Sequence, residues 1–297
     1  MIDVAIVGGG PAGLTAAMYL RRFHRACLVF DSGESRARWI PESNNCPGFP
    51  GGISGVELLR RLRRQAAEAE VPIEEARVDR IARGDDGEGF VVHAGGRQWL
   101  ARMVMIATGL RDRLPGEWAG EALACGALRL CPICDAFEAS DGRIGVFGRG
   151  ADIGSHARFL RTFSADVTAL PLDGADGGED GATARSDGVQ WLGAGRLEFD
   201  GERCRFRSGT GAAEFDTVYS FLGFDTSVPI DGLHVERTEG GEILVDRHQL
   251  TATPGLYAIG DIVGGLNQIS VAVGHAAAAA THAHGQLPRT PRAAPQA

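Results

Sequence analysis

Short apolar runs broken by glycine turns alternate along the chain with segments whose apolar positions recur at helical spacing, and two stretches repeat one pattern. Residues 2–31 read as strand, glycine turn, helix and strand: DVAIVGGGPAG, LTAAMYLRRFH, ACLVFD. Residues 143–173 repeat it as RIGVFGRGADIG, SHARFLRTF and ADVTALPLD. Each predicts a βαβ unit, and two of them predict two nucleotide-type domains. Between them lie a helical pattern over 55–70, a strand-like run at 89–93, and an apolar run from Met103 that ends in Thr108-Gly109. A last strand-like run, 255–261, precedes an Ala-rich helix near 269–284. Residues 173–188, rich in Gly and Asp, predict an exposed loop, and the Pro- and Arg-rich tail from Gln286 a frayed end.

Composition narrows the picture. A chain of 297 residues suits two domains of roughly 100–200 residues. The net charge of −8 leaves no basic surplus for phosphates, which excludes a nucleic-acid footprint. All 30 basic residues are Arg, a habit that decides nothing about function. No run reaches the roughly 18–20 apolar residues of a membrane span, and the chain opens directly on a strand, so no signal peptide is expected. The expectation is a cytoplasmic protein with no membrane association. Six cysteines in a reducing compartment are not a disulfide scaffold, so a close pair becomes a redox or metal candidate.

Gly8, Gly10 and Gly13 form G-x-G-x-x-G between a strand and a helix, with Pro11 and Ala12 inside the motif. The first glycine allows the tight turn, the second lets a pyrophosphate approach the backbone, and the third lets helix and strand pack closely. The helix N-terminus adds free N–H groups. Asp31 ends the second strand, where a carboxylate accepts hydrogen bonds from ribose hydroxyls.

Cys131-Pro132-Ile133-Cys134-Asp135 is the chemical centre. Two thiols at C-x-x-C spacing close a small disulfide ring, a helix N-terminus lowers the first thiol's pKa, and an adjoining Asp can carry the proton that exchange requires. A zinc site needs two more ligands. Cys125 and His156 are conceivable, but no second C-x-x-C or H-x-x-x-H exists, so no metal is expected; a purely structural pair is the other alternative. Cys27 and Cys204 lie in apolar or strand-like runs and read as buried spectators, and Cys46 and Cys125 read as bland.

These motifs, in this order, resemble the low-molecular-weight thioredoxin reductases: GGGPAG at 8–13, NNCPGFPGGISG at 44–55, ATG at 107–109, CPICD at 131–135 and TPGLYAIGDI at 253–262. The resemblance implies an α/β fold of two Rossmann-like, three-layer ββα dinucleotide-binding domains, the second inserted in the first. Residues 1–112 plus 243–297 form an FAD-binding domain, and 113–242 an NAD(P)-binding-like domain carrying the C-x-x-C. It implies FAD as cofactor, held by the first glycine motif and Asp31 together with Asn45, Val78, Thr108, Gly109, Gly260, Asp261, Gln268 and Ile269. It assigns Cys134 to the flavin, Cys131 to interchange with the substrate disulfide and Asp135 to acid–base work. It further implies a homodimer, a thioredoxin-like protein or small dithiol/disulfide as partner, and a small domain that rotates.

The second glycine motif departs from the family pattern. Gly148-Arg149-Gly150-Ala151-Asp152-Ile153 carries Ile where relatives carry a small residue, and Gly154 comes one place late. A branched side chain there is expected to push helix and strand apart or press on a pyrophosphate. Where NADPH users place a His-Arg-Arg run, the chain has Pro171-Leu172-Asp173, followed by Asp176, Glu179 and Asp180 with no base before Arg185. Those carboxylates repel a 2′-phosphate; Asp173 could still hold the 2′-hydroxyl of NADH. Asn267 stands for an Arg that usually precedes Gln268, and His275 reads as a polar residue at a helix start. The expectation is a flavin-dependent thiol–disulfide oxidoreductase that does not use NADPH, its electrons coming from ferredoxin or another carrier. The alternatives are a dithiol oxidase discharging to oxygen, an ordinary NAD(P)H-dependent reductase, or a redox sensor that rarely turns over.

Overall fold

The computed structural model describes residues 1–84, 87–209, 211–289 and 291. The predicted frayed tail therefore lies outside the described residues beyond Arg289, apart from Pro291. Two compact units emerge. The first comprises Met1–Ala37, Glu57–Leu110 and Thr226–Ala297; the second comprises Arg38–Val56 and Arg111–Asp225.

Along the chain come β1 (Ile2–Val7), α1 (Pro11–Arg22), β2 (Cys27–Phe30), α2 (Gly55–Glu68), β3 (Ile73–Glu74), β4 (Val78–Arg83), β5 (Phe90–Ala94) and β6 (Arg97–Ile106). Then follow β7 (Arg111–Asp112), α3 (Ala119–Ala124), β8 (Leu128–Arg129), α4 (Pro132–Asp135), β9 (Ile144–Gly148), α5 (Gly150–Leu160), β10 (Val167–Pro171) and α6 (Gly178–Ser186). The rest are β11 (Gln190–Trp191), β12 (Gly195–Phe199), β13 (Cys204–Ser208), β14 (Gly211–Phe215), β15 (Thr217–Phe221), β16 (Phe224–Asp225), β17 (Leu256–Ala258) and α7 (Ile269–Gln286).

The first unit is built on one sheet of order β3-β2-β1-β6-β5-β4, with β17 also on β6. On the edge away from β1, β6 serves two partners in turn: its first half pairs antiparallel with β5 up to Ala101, and its second half pairs parallel with β17 from Val104. The parallel strands β1, β2 and β6 are wholly apolar where they cross the core, as strands covered on both faces must be. Leu14 and Leu20 of α1 pack on this sheet with no exposure, each contributing about 1.5–3 kcal/mol of burial. The outer face of α1 meets α7, whose Ala276, Ala279, Ala280 and Ala283 are also fully buried. Small residues let the two helices approach closely. Arg25, 4% exposed, closes the far end: its guanidinium donates to His284 Nδ1 (2.9 Å) and to the carbonyls of His284 (3.1 Å) and Pro288 (2.8 Å).

The second unit holds a five-stranded parallel sheet of order β11-β10-β9-β15-β8, an antiparallel β12-β13-β14 sheet and a β7–β16 ladder. The stretch 173–188, expected as an exposed loop, contains helix α6. Gly177 starts it in the left-handed region, Glu179 and Asp180 sit in its first turn and Arg185 in its last, each charge matching the helix dipole. Its buried residues are only Gly181 and Ala184, so the apolar period that announces a helix is missing from the sequence. Among the described residues, no helix is long and apolar enough to cross a membrane.

Candidate active site

In the first unit the glycine motif forms a tight, open-topped cradle. Gly8 adopts φ +120°, and a Cβ there would lie 2.2 Å from the Ala107 carbonyl oxygen. At Gly13 a Cβ would lie 1.9 Å from the Gly8 carbonyl oxygen, so the helix reaches the strand only because both are glycine. At Gly10 a Cβ would meet no backbone, only the tip of a side chain, Ser35 Oγ at 3.1 Å. Pro11 opens α1 with no side chain capping its first N–H groups, the arrangement that receives a pyrophosphate.

Asp31 is buried at the end of β2, accepts from Gly33 N–H at 2.9 Å and is paired with Arg63. Thr108 and Gly109 follow β6 beside Gly8, and Gly260, at φ +75°, lies against Ala12, to whose Cβ an added Cβ would come within 2.9 Å. Asp261 is paired with Arg36 at 3.2 Å. Gln268 and Ile269 open α7. Thus most of the predicted cofactor residues gather at the carboxyl ends of β1, β2, β6 and β17, where open α/β sheets bind their ligands. Val78 stands apart: its side chain is buried in the core beneath β4. Arg36 and Arg63 were not legible, because their partners are distant in sequence. His275 lies in the second turn of α7 rather than at its start, and its Nδ1 is buried with no hydrogen-bond partner among the described residues. Burial lowers its pKa, partly opposed by Asp261. An open cradle, a buried ribose-type acid and an unmatched ring nitrogen fit a dinucleotide cofactor.

In the second unit Cys131 and Cys134 are joined in a disulfide, Cα–Cα 5.3 Å. Cys131 precedes the single turn α4, and its carbonyl accepts from Cys134 N–H at 2.9 Å. Asp135 is held from behind. Tyr219 OH donates to its Oδ1 at 2.8 Å, and Arg129 donates to its backbone carbonyl at 2.6 Å while standing 3.8 Å from Oδ1. Burial raises the Asp135 pKa, with the Tyr219 hydrogen bond and Arg129 opposing it. A carboxyl so poised exchanges protons more readily near neutrality than an exposed one. Asn45 falls in this unit, its Nδ2 donating to the Ile133 carbonyl at 3.3 Å. The remaining thiols lie elsewhere: Cys27, Cys46 and Cys204 are buried and Cys125 is exposed. Burial pushes the Cys27 thiol up to about 11 and Cys204 to about 12, which leaves both unreactive.

The second glycine motif is closed by its own chain. A Cβ on Gly150 would lie 2.2 Å from the Ala175 carbonyl oxygen, where Gly10 has only the Ser35 side chain nearby. That carbonyl accepts from Trp191 Nε1 at 3.3 Å, which fixes the loop. Asp173 Oδ1 accepts from the N–H groups of Gly150 (3.0 Å) and Ala175 (3.1 Å), and these bonds hold its pKa below the carboxylate range. Ile153 does not prise the unit open: it is wholly buried in the core, and a Cβ on Gly148 would lie 2.8 Å from its Cγ2. Gly154 serves a different contact, against the Asp180 backbone of α6.

A family model for pyridine nucleotide-disulphide oxidoreductases matches residues 2–276. The thioredoxin reductase of Aquifex aeolicus is 28% identical over 293 residues, 91% of this chain and 88% of that one. That of Mycolicibacterium smegmatis is 35% identical over 170 residues, which span 57% of this chain and about half (54%) of the relative. The solved thioredoxin reductase of Streptococcus pyogenes MGAS5005 superposes with a TM-score of 0.86 at 26% identity, covering 96% of this chain and 97% of that one. With two Rossmann-like units and these relatives, the chain belongs to the pyridine nucleotide-disulphide oxidoreductase family, as a thioredoxin reductase-like, FAD-dependent disulfide oxidoreductase.

Proposed function

We propose that the chain moves two electrons between FAD and the Cys131–Cys134 disulfide, and on to a dithiol or disulfide partner, without NADPH as reductant. The observation that carries the reading is the closed second cradle. The Gly150 N–H, which in an open cradle faces a pyrophosphate, is taken by the Asp173 carboxylate, and the Ala175 carbonyl covers the glycine. A dinucleotide phosphate has to displace a fixed loop and meet a carboxylate of like charge.

FAD, when bound, supplies a two-electron acceptor and donor. The first cradle would hold it, with Gly8, Gly10 and Gly13 admitting the pyrophosphate and the Asp31 carboxylate accepting from the ribose. Asp135, next to Cys134 and anchored by Tyr219 and Arg129, takes up and returns the proton of a cysteine thiol during exchange. The relatives named thioredoxin reductases support a dithiol or disulfide as the partner, and the closed cradle of the second unit supports a thiol or a protein electron carrier as the source of electrons. Calorimetric titration of the FAD-loaded protein with NADPH and NADH tests the reading. No heat of binding up to millimolar nucleotide is expected; saturation at micromolar NADPH sinks it.

A further inference from the structure

Beside the disulfide the second unit has a concavity of about 420 Å³. Its walls are Pro132, Ile133, Phe137, Phe159 and Phe163, with Cys134 at one side. Three of these side chains are large apolar groups left in water: Phe137 is 78% exposed, Ile133 54% and Phe159 42%. α5 does not need Phe159 for packing, since Ile153, Ala157 and Leu160 already bury its other face in the core. Clustered exposed apolar groups mark a binding surface, and the volume falls in the range of small-ligand sites, roughly 300–1,000 Å³.

The polar groups at the site narrow the ligand. Asn44 and Asn45 contribute amides, Asp135 and Glu138 contribute carboxyls, and no basic side chain lines the cavity among the described residues. A ligand bearing carboxylates of its own, of the γ-glutamyl tripeptide kind, is repelled. A neutral molecule with an apolar body is accepted.

We propose that this cavity is the substrate site and takes a low-molecular-weight dithiol, or its cyclic disulfide, whose sulfurs are carried on an uncharged aromatic or aliphatic body. The proposal rests on the disulfide-exchange reading above. One ligand thiolate attacks a sulfur of the Cys131–Cys134 bond, which breaks to a mixed disulfide and one cysteine thiolate. The second ligand thiol displaces the enzyme sulfur, and the ligand leaves as a cyclic disulfide. The ligand loses two electrons and two protons, and both cysteines end as thiols, with Asp135 relaying a proton between them.

The test uses the FAD-loaded protein without oxygen. Flavin bleaching is followed with benzene-1,2-dimethanethiol, with dithiothreitol and with a reduced thioredoxin. Separately, calorimetry measures binding of the redox-inert thioether 1,2-bis(methylsulfanylmethyl)benzene to wild type, Phe137→Ala and Phe159→Ala. The aromatic dithiol is expected to half-saturate at least tenfold below dithiothreitol, and each substitution to weaken thioether binding about tenfold. No thioether binding, or equal binding by all three proteins, overturns the proposal. So does a thioredoxin that saturates at micromolar concentration while the aromatic dithiol does no better than dithiothreitol. If the thioether binds as expected but no dithiol bleaches the flavin, the redox reading falls, and the dithiol substrate with it, while the apolar site stands.

Discussion

Tyr219→Phe tests whether Asp135 is the proton carrier, because it removes one atom far from solvent. Tyr219 is fully buried, and its hydroxyl is 2.8 Å from Asp135 Oδ1. A hydrogen bond to a charged group contributes about 1.5–3 kcal/mol. Arg129, 3.8 Å from the same oxygen, can move closer and replace part of it, which leaves a net loss of about 1.4 kcal/mol. The lost bond favours the carboxylate over the neutral acid, so its removal raises the Asp135 pKa further above the ordinary range. One tenfold step in protonation corresponds to 1.36 kcal/mol. The limb of the pH–rate profile that Asp135 controls therefore moves upward by about one pH unit. Anaerobic reduction of the bound flavin by a dithiol, followed from pH 4.5 to 8.5 or so, reads that limb directly. A rate plateau that falls equally at every pH, with the limb unmoved, would show that Tyr219 is structural and that Asp135 does not carry the proton.

Gly13→Ala places a Cβ 1.9 Å from a backbone oxygen, which no side-chain rotation relieves. The purified protein should lose most of its FAD, measured as flavin absorbance per chain, and full occupancy refutes the cradle. Arg25→Ala removes the bonds to His284, Leu287 and Pro288 and should cost about 2–4 kcal/mol in urea unfolding; a loss below about 1 kcal/mol contradicts that account. Asp173 has its pKa depressed by the Gly150 and Ala175 N–H groups, so its stabilising bonds are present above the unfolded carboxylate pKa and disappear as pH falls through the folded one. The side chain is exposed, so the effect is a few tenths of a kcal/mol. Asp173→Asn should flatten the stability profile below the unfolded carboxylate pKa of about 3.9, and an unchanged profile argues against the cap.

Much of the site was legible because it is written in contiguous motifs. The cradle needs glycines at fixed intervals, and the redox pair needs two cysteines one turn apart. A strand-end acid such as Asp31 is placed by the βαβ pattern itself. What escaped depends on residues far apart in sequence. Tyr219 reaches Asp135 across 84 positions, and nothing in a strand reading Thr-Val-Tyr-Ser-Phe marks one hydroxyl as an anchor. Helix α6 escaped because Gly181 and Ala184, its buried positions, leave no apolar stripe. The role of Asp173 changed most. Its charge suggested repulsion of a phosphate or a grip on a ribose, and folding places it on the Gly150 N–H. Ile153 was read as a wedge, yet the missing side chain of Gly148 gives it room in the core. The cavity beside the disulfide is formed jointly by α4, α5 and the 44–45 segment, and no single segment announces it.

The most direct test of the account is anaerobic stopped-flow reduction of the bound flavin, with NADPH, NADH and a dithiol mixed in separately, in wild type and Cys134→Ser. The account predicts bleaching by the dithiol in wild type, none in Cys134→Ser, and no rapid bleaching by either nucleotide. Rapid bleaching by NADPH in both proteins would contradict it and make this an ordinary nucleotide-driven reductase.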